Sequence, residues 1–169
     1  GDAPKLTEIQ QWGDLVLTNY SSSAYAGAYF YRTENLNITA TDAPDLSQAH
    51  SMSMAFRSSG LTDENLSSWD VSAVTDMSSM FPDTSSFTGV GVGSWDVSSV
   101  TNMNFMFNDA SSFDGDLSGW DVSSVSAMAS MFNGADVFNR DLSAWDVSSV
   151  TDMSSMFRSA SSFDGDLSG

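Results

Sequence analysis

Aspartate and serine side chains recur in this chain at a fixed spacing, and they are the residues with the clearest chemical potential. Each set has four members, one from each of four similar segments. The aspartates are Asp70, Asp96, Asp121 and Asp146, and the serines are Ser72, Ser98, Ser123 and Ser148. If the segments stack as a sheet, each set becomes a row of oxygen atoms on the solvent side. Such rows can bind a cation, a basic side chain or the hydroxyl groups of a glycan.

Three interpretations of the aspartate row stay open at this stage. Carboxylates about 4.8 Å apart repel one another by roughly 0.9 kcal/mol per neighbouring pair in water, so something is expected to offset the repulsion. Serine hydroxyls, or backbone amides of the next turn, could hydrogen-bond each carboxylate, which would make the row structural. Ca²⁺ could bridge neighbouring carboxylates as a cofactor, because it prefers oxygen ligands. Alternatively, the row is the recognition surface for a basic or hydroxyl-rich partner.

Catalytic chemistry has little support in the sequence. His50 is the only histidine and there is no cysteine, so no hydroxyl has an evident base to activate it. The aspartates of a row are equivalent to one another, whereas acid–base catalysis needs two carboxyl groups in different environments. We therefore expect a protein that is not an enzyme.

The charge balance excludes several classes of partner. The chain of 169 residues carries 22 acidic and five basic side chains, a formal net charge of −17. Too few cations are present to neutralise phosphates, so no nucleic-acid partner is expected, and docking on anionic lipid is disfavoured. No run approaches the roughly 20 apolar residues of a membrane span, so no direct membrane insertion is predicted for this fragment.

The aspartates and serines belong to a repeat with a period of 25 or 26 residues. The segment 117–132 reads LSGWDVSSVSAMASMF, 142–157 reads LSAWDVSSVTDMSSMF, and 66–81 reads LSSWDVSAVTDMSSMF. The tryptophans of the repeat are Trp69, Trp95, Trp120 and Trp145. A period of this size is typical of a solenoid, in which each unit packs only on its neighbours. The spacing of the apolar residues matches that of leucine-rich repeats.

Within one unit, the sequence predicts a short strand followed by turns. Trp120, Asp121 and Val122 alternate between apolar and polar, which indicates a strand with the aspartate facing outward. An amphipathic helix is the alternative, because apolar residues recur every three positions up to Met131, but serine, threonine, valine and aspartate disfavour it. We expect short parallel strands on one face and turns, or short 3₁₀ or α segments, on the other. Successive tryptophans are expected to pack on one another.

The chain divides into two parts by its periodicity. Residues 1–35 do not follow the period and are predicted to form an N-terminal cap. Residues 36–169 are predicted to form a repeat solenoid of about five units of 25–26 residues, the last of them truncated. Because the chain stops where the repeat requires another tryptophan, we expect it to be a piece of a longer protein.

The cap carries its own local signals. Thr7 and Gln10 have the spacing of a capping box, and Gly13 is a helix stop, so a short helix is predicted over about residues 8–12. A strand is predicted over residues 15–17, where three apolar residues follow one another. A helix with one apolar side is a common lid for the open end of a solenoid.

The repeat motif resembles that of a known family. The run Leu-Ser-x-Trp-Asp-Val-Ser-x-Val-Thr-x-Met-x-x-Met-Phe, followed by Ala-Ser-Ser-Phe-Asp-Gly-Asp, is similar to the 25-residue repeats of BspA-like surface proteins. The resemblance covers nearly the whole chain. It implies a leucine-rich-repeat-like solenoid in a cell-surface or secreted protein, often an adhesin, with no catalytic residues and no defined ligand.

The expected function follows from this resemblance and from the polar rows. We expect an extracellular or cell-surface binding and adhesion module that uses the Asp/Ser face to contact a protein or a glycan. One alternative is a purely structural spacer or stalk within a larger surface protein. Another is a calcium-stabilised solenoid without a ligand of its own.

Overall fold

Successive repeats lie side by side and are joined by hydrogen bonds between residues 25 or 26 positions apart. The computed structural model describes residues 6–18, 26–62 and 66–165. A line of parallel β-bridges crosses the repeats, each between single residues. It runs from Ser51 to Asp76, Asn102, Ala127 and Asp152. Tryptophan side chains confirm this register, because the indole N–H groups of Trp95, Trp120 and Trp145 each donate to a backbone carbonyl oxygen of the preceding unit at 3.0 Å.

Regular secondary structure is sparse and lies mainly near the N-terminus. Strand β1 (Glu8–Ile9) pairs in parallel with β3 (Asn37–Ile38), and β2 (Val16–Thr18) pairs in parallel with β4 (Asp45–Gln48). One 3₁₀ turn, Val92–Ser94, lies between Trp69 and Trp95, which are 26 residues apart whereas the later repeat tryptophans are 25 apart. The described residues contain no α-helix. Most of each unit consists of turns and extended loops.

The helical cap predicted over residues 8–12 is wrong, because tertiary pairing overrides the local capping signal. Glu8–Ile9 is a strand, and the carbonyl oxygen of Ile9 accepts the Thr39 amide at 2.9 Å. The amide of Trp12, which would lie inside a helix, donates to the Asp42 carboxylate at 3.0 Å. By contrast, the strand predicted over residues 15–17 is confirmed as β2, displaced by one residue.

The strand predicted at Trp120–Val122 is also wrong in position. Among the described residues, the Trp-Asp-Val segments form no strand. The Asp121 carboxylate accepts the Ser123 amide at 3.1 Å, and the Val125 amide donates to the Val122 carbonyl oxygen at 2.9 Å. The chain therefore turns directly after the valine, and this turn prevents the segment from running on as a strand.

Pairing between units falls instead on the methionine-rich segment. The amides of Met77, Ser79, Phe81 and Asp83 donate to carbonyl oxygens of the next unit at 2.8–3.0 Å. The same four bonds join every later pair of units that the structure describes, always with the amide on the N-terminal side. Ser79 and Asp83 have positive φ angles of 51° and 60°. These left-handed residues place alternate peptide groups parallel to the axis of the stack.

The core is built from columns of aromatic rings, but the tryptophans do not form one of them. Phe81, Phe107 and Phe132 are fully buried, and each of these rings stacks on the next at a centroid distance of 5.6 Å. The predicted packing of each repeat tryptophan on the next is wrong. Trp120 instead contacts Phe107 of the preceding unit, and its indole Nε1–H donates to the Val92 carbonyl oxygen at 3.0 Å. The indole N–H needs an acceptor when it is buried, and this contact supplies one.

Candidate functional site

The first candidate surface is the acidic row, which we define as Asp70, Asp96, Asp121 and Asp146. All four aspartates are exposed, so their predicted outward orientation agrees with the structure. The predicted serines lie beside them: Ser72 and Ser148 are exposed, while Ser98 and Ser123 are half-buried. The structure thus brings each aspartate together with the serine two residues later in its own unit.

One carboxylate oxygen of each aspartate is used inside its own turn. In Asp121, Oδ1 accepts the Ser123 amide at 3.1 Å and the Ser123 hydroxyl at 2.6 Å. Asp70 and Asp96 make the same pair of bonds, and Asp146 accepts the Ser148 amide at 3.0 Å. Among the described residues, no hydrogen bond to Oδ2 is found in any of the four. One oxygen per unit therefore remains available to a partner.

These hydrogen bonds favour the ionised form of the aspartates in the acidic row. The Ser123 hydroxyl, followed by the Ser123 amide, lowers the pKa of Asp121 below its ordinary value of 3.8. The negative charges of Asp96 and Asp146 oppose this lowering, because neighbouring carboxylates of the row repel one another. The pKa values of Asp70, Asp96 and Asp146 are lowered by the same hydrogen bonds to their own serines. The row is a line of negative charge at neutral pH.

The row offers little to a metal ion by itself. In residues 6–18, 26–62 and 66–165, no group of three or more histidine, aspartate or glutamate side chains is placed to hold a metal. Each unit contributes one carboxylate, with one of its oxygens already bonded. A Ca²⁺ ion takes six to eight oxygen ligands, so water or a partner molecule would have to supply most of them.

A second surface, which the sequence analysis missed, lies on the turns of the methionine-rich segments. We call it the Phe105 hollow. It is open to solvent, and its volume is about 360 Å³. The residues that line it are Arg57, Ser79, Pro82, Asp83, Phe105, Asn108 and Asp109. They come from three consecutive units, so the hollow exists only when the units stack.

A signal for this hollow was present in the sequence as an interruption of the repeat. Phe105 occupies the position at which Ser79, Ser130 and Ser155 stand in other units. Arg57, Pro82 and Asn108 likewise share one repeat position although their side chains differ chemically. Repeats are recognised from the residues that the units share, so positions at which the units differ are not noticed.

His50, the one histidine of the chain, contributes its backbone carbonyl group to the contact between two units. Its side chain is exposed, and its backbone carbonyl oxygen accepts the Thr75 amide at 2.8 Å. The Thr75 hydroxyl donates to the same oxygen at 3.0 Å. The expectation that the protein is not an enzyme stays a prediction.

The fold and the site define a protein of stacked 25-residue repeats with polar residues in rows on its surface. A family model described as "Mycoplasma protein of unknown function, DUF285" matches residues 24–116 and 87–169. Together these matches cover most of the chain, and the protein belongs to this family. No curated protein and no solved structure matches the chain. The part of the chain that the structure describes has no helix long and apolar enough to cross a membrane.

Proposed function

We propose that the chain is a leucine-rich-repeat-like solenoid of an extracellular or cell-surface protein, similar to BspA-like proteins. In this proposal it is a binding and adhesion module, and the acidic row contacts a protein or a glycan. The observation that carries the proposal is the second carboxylate oxygen of each aspartate, for which the described residues supply no hydrogen-bond partner. A rigid stack holds these oxygens in register, so a partner with matching donors can bind several of them at once.

The net charge supports a partner with basic or hydroxyl groups. With a formal charge of −17, the chain attracts cationic surfaces over distances comparable with the Debye length, which is about 8 Å at physiological salt. The expected contact is therefore sensitive to salt. A basic partner would lose affinity as ionic strength rises, whereas a glycan bound only by hydroxyl groups would lose little.

Substitution of two adjacent carboxylates tests the proposal. The variant Asp96→Asn/Asp121→Asn keeps an acceptor for the Ser98 and Ser123 amides but removes two charges of the row. The matched control is Asp116→Asn/Asp141→Asn, because these exposed aspartates accept the Ser118 and Ser143 amides in the same way and lie in another column. Both variants change the net charge equally.

The readout is the attachment of protein-coated fluorescent beads to an epithelial cell monolayer. We expect the row variant to reduce attachment several-fold, and the control variant to leave it near the wild-type level. Equal attachment by all three proteins would show that the row is not the contact surface. If wild-type beads attach no better than albumin-coated beads, the spacer interpretation replaces this one. A chelator that lowers the melting temperature would favour the calcium-stabilised alternative.

A further inference from the structure

Phe105 is the one phenylalanine of the chain with an exposed side chain, at 45% exposure, whereas the others are buried or half-buried. Its backbone φ is +58°, in the left-handed region that bulky side chains rarely adopt. The two adjacent units place Ser79 and Ser130 at this position, and an earlier unit places the half-buried Met54 there, with a φ of 60°. Neither core packing nor local backbone preference therefore explains a phenylalanine here. An aromatic side chain held in solvent against both preferences points to a ligand that covers it.

The side chains around Phe105 supply both donors and acceptors of hydrogen bonds. Arg57 donates only, Asp83 and Asp109 accept only, and the Asn108 amide and the Ser79 hydroxyl do both. An ammonium ion, which only donates, would leave Arg57 unmatched, and a phosphate, which only accepts, would leave Asp83 and Asp109 unmatched. Saccharide hydroxyl groups donate and accept at once, so they match the mixed set.

The polar side chains of the hollow are held in place by one another. Arg57 Nε lies 3.9 Å from Asp83 Oδ2, which also accepts the Ser58 hydroxyl at 3.2 Å. The Asn108 amide donates to Asp109, and its own oxygen accepts the Asn133 amide at 3.0 Å. Groups that are already oriented lose little freedom when a ligand binds.

We propose that the Phe105 hollow binds a neutral pyranose ring of a glycan. One face of the ring, which carries C–H groups, lies on the phenyl ring, and its hydroxyl groups bond Asp83, Asp109 and Asn108. The volume of about 360 Å³ is at the low end for small-molecule sites, which suits the end of a glycan. The net charge of −17 disfavours an anionic sugar. This inference deepens the proposed function, on which it rests, by naming the ligand class at a second surface.

Three variants separate this site from general surface effects. Phe105→Ser installs the residue that other units have at this position, so the protein is expected to fold normally. Asp109→Asn changes an acceptor in the hollow. The matched control is Val137→Ser, which removes another exposed apolar side chain, with 47% exposure, outside the hollow. Circular dichroism and thermal melting verify that all three variants are folded.

The probes are the methyl glycosides of glucose, galactose, mannose and N-acetylglucosamine, with N-acetylneuraminic acid as the anionic comparison. Each is titrated to about 20 mM, a range that detects millimolar dissociation constants, while the backbone amide NMR signals of Asn108 and Asp109 are followed, because residues 108 and 109 keep their amides in every variant. We expect at least one neutral glycoside to bind and shift these signals. Phe105→Ser is expected to weaken binding by about fivefold to tenfold. Asp109→Asn weakens it too, Val137→Ser leaves it unchanged, and N-acetylneuraminic acid binds less well.

Two results would overturn the inference: no neutral glycoside binds the wild-type protein, or Phe105→Ser binds as well as wild type. Either result leaves the adhesion assay of the acidic row untouched, since that assay uses substitutions in another column. Conversely, unchanged adhesion of the row variant together with retained glycoside binding would reject the acidic row and keep the Phe105 hollow. The two proposals therefore fail independently.

Discussion

Two units that share the same repeat motif, 117–141 and 142–165, have different environments. In the inner unit, Val122 and Met128 are 1% and 0% exposed. Their counterparts in the outer unit, Val147 and Met153, are 38% and 39% exposed. An apolar hollow of about 330 Å³ opens there, lined by residues whose inner counterparts form the core.

The difference shows that a unit does not bury all of its core residues by itself: Leu142, Trp145 and Met156 stay buried in the outer unit, whereas Val147 and Met153 do not. The following unit also holds the backbone of the inner unit, since the Met128 amide donates to the Asp152 carbonyl oxygen of the next unit at 2.9 Å. In the described part of the chain, Met153 makes no such backbone bond. Stability is therefore expected to depend on contacts between units more than on contacts within one.

The largest expected effect comes from the phenylalanine column. Phe107 is fully buried and stacks on Phe81 and Phe132 on both sides, each at 5.6 Å, whereas Phe157 is half-buried. Phe107→Ala is expected to lower the free energy of unfolding by about 3–5 kcal/mol, and Phe157→Ala by less than about half as much. Urea denaturation followed by tryptophan fluorescence measures both. Equal losses would mean that the two environments do not differ in energy.

A glycine at a junction between units gives the next largest effect. A Cβ atom on Gly93 would overlap the carbonyl oxygen of Asp116 in the next unit, whereas one on Gly119 would meet no atom within 4 Å. Gly93→Ala is expected to destabilise the protein by about 1–3 kcal/mol. Gly119→Ala is the matched control, with a change of about zero or a gain of up to about 1 kcal/mol. The melting temperatures of Gly93→Ala and Gly119→Ala measure this difference. An unchanged melting temperature for Gly93→Ala would contradict the close contact between Gly93 and Asp116.

A smaller effect, of the opposite sign, is expected where the ladder needs left-handed residues. Ser79 has a φ of 51°, and glycine adopts this conformation without steric strain. Ser79→Gly is expected to stabilise the protein by about 0.5–1 kcal/mol after the greater flexibility of the unfolded glycine is subtracted. Ser155→Gly is the comparison in the outer unit, where the ladder has no following partner among the described residues and a smaller gain is expected. Destabilisation by Ser79→Gly would show that the serine contributes a contact that exceeds the strain.

The smallest effect concerns the acidic row and its dependence on pH. Because hydrogen bonds from Ser123 lower the pKa of Asp121, the ionised carboxylate stabilises the folded chain above pH 3.8. This contribution is lost as the pH falls through the lower, folded-state pKa. Asp121→Asn, which keeps an acceptor but does not titrate, is expected to flatten the loss of stability below about pH 4. Melting temperatures between pH 6 and pH 2 measure this loss of stability. Parallel curves for Asp121→Asn and wild type would refute a stabilising role for the hydrogen bonds from Ser123 to Asp121.

Sequence reasoning succeeded where the repeat itself carried the information. The period fixed which residues face one another, and the outward orientation of Asp121 followed from its apolar neighbours. It failed where a long-range contact decided the conformation. The helix expected near Glu8 became strand β1, because Asn37 and Ile38 offered a partner. Likewise, Trp120 packs on Phe107 because the Val92 carbonyl oxygen lies within reach of its indole.

The Phe105 hollow could not be predicted for a related reason. Its lining residues are up to 52 positions apart in the chain, from Arg57 to Asp109, and meet only after three units have stacked. Phe105 and Pro82 depart from the repeat, so the pattern that identifies the fold conceals the site. A comparison of the units that searches for their differences would have drawn attention to Phe105.

By itself, the sequence determined the register of the stack. Near-identical segments bury their apolar side chains together only when equivalent positions align, so a period of 25 residues leaves one pairing. Only the tertiary structure decided which part of each unit carries the hydrogen bonds, because that choice depends on turns formed by Asp–Ser pairs and on left-handed residues. It also decided whether a given valine or methionine is buried, since the neighbouring unit, not the residue, supplies the cover.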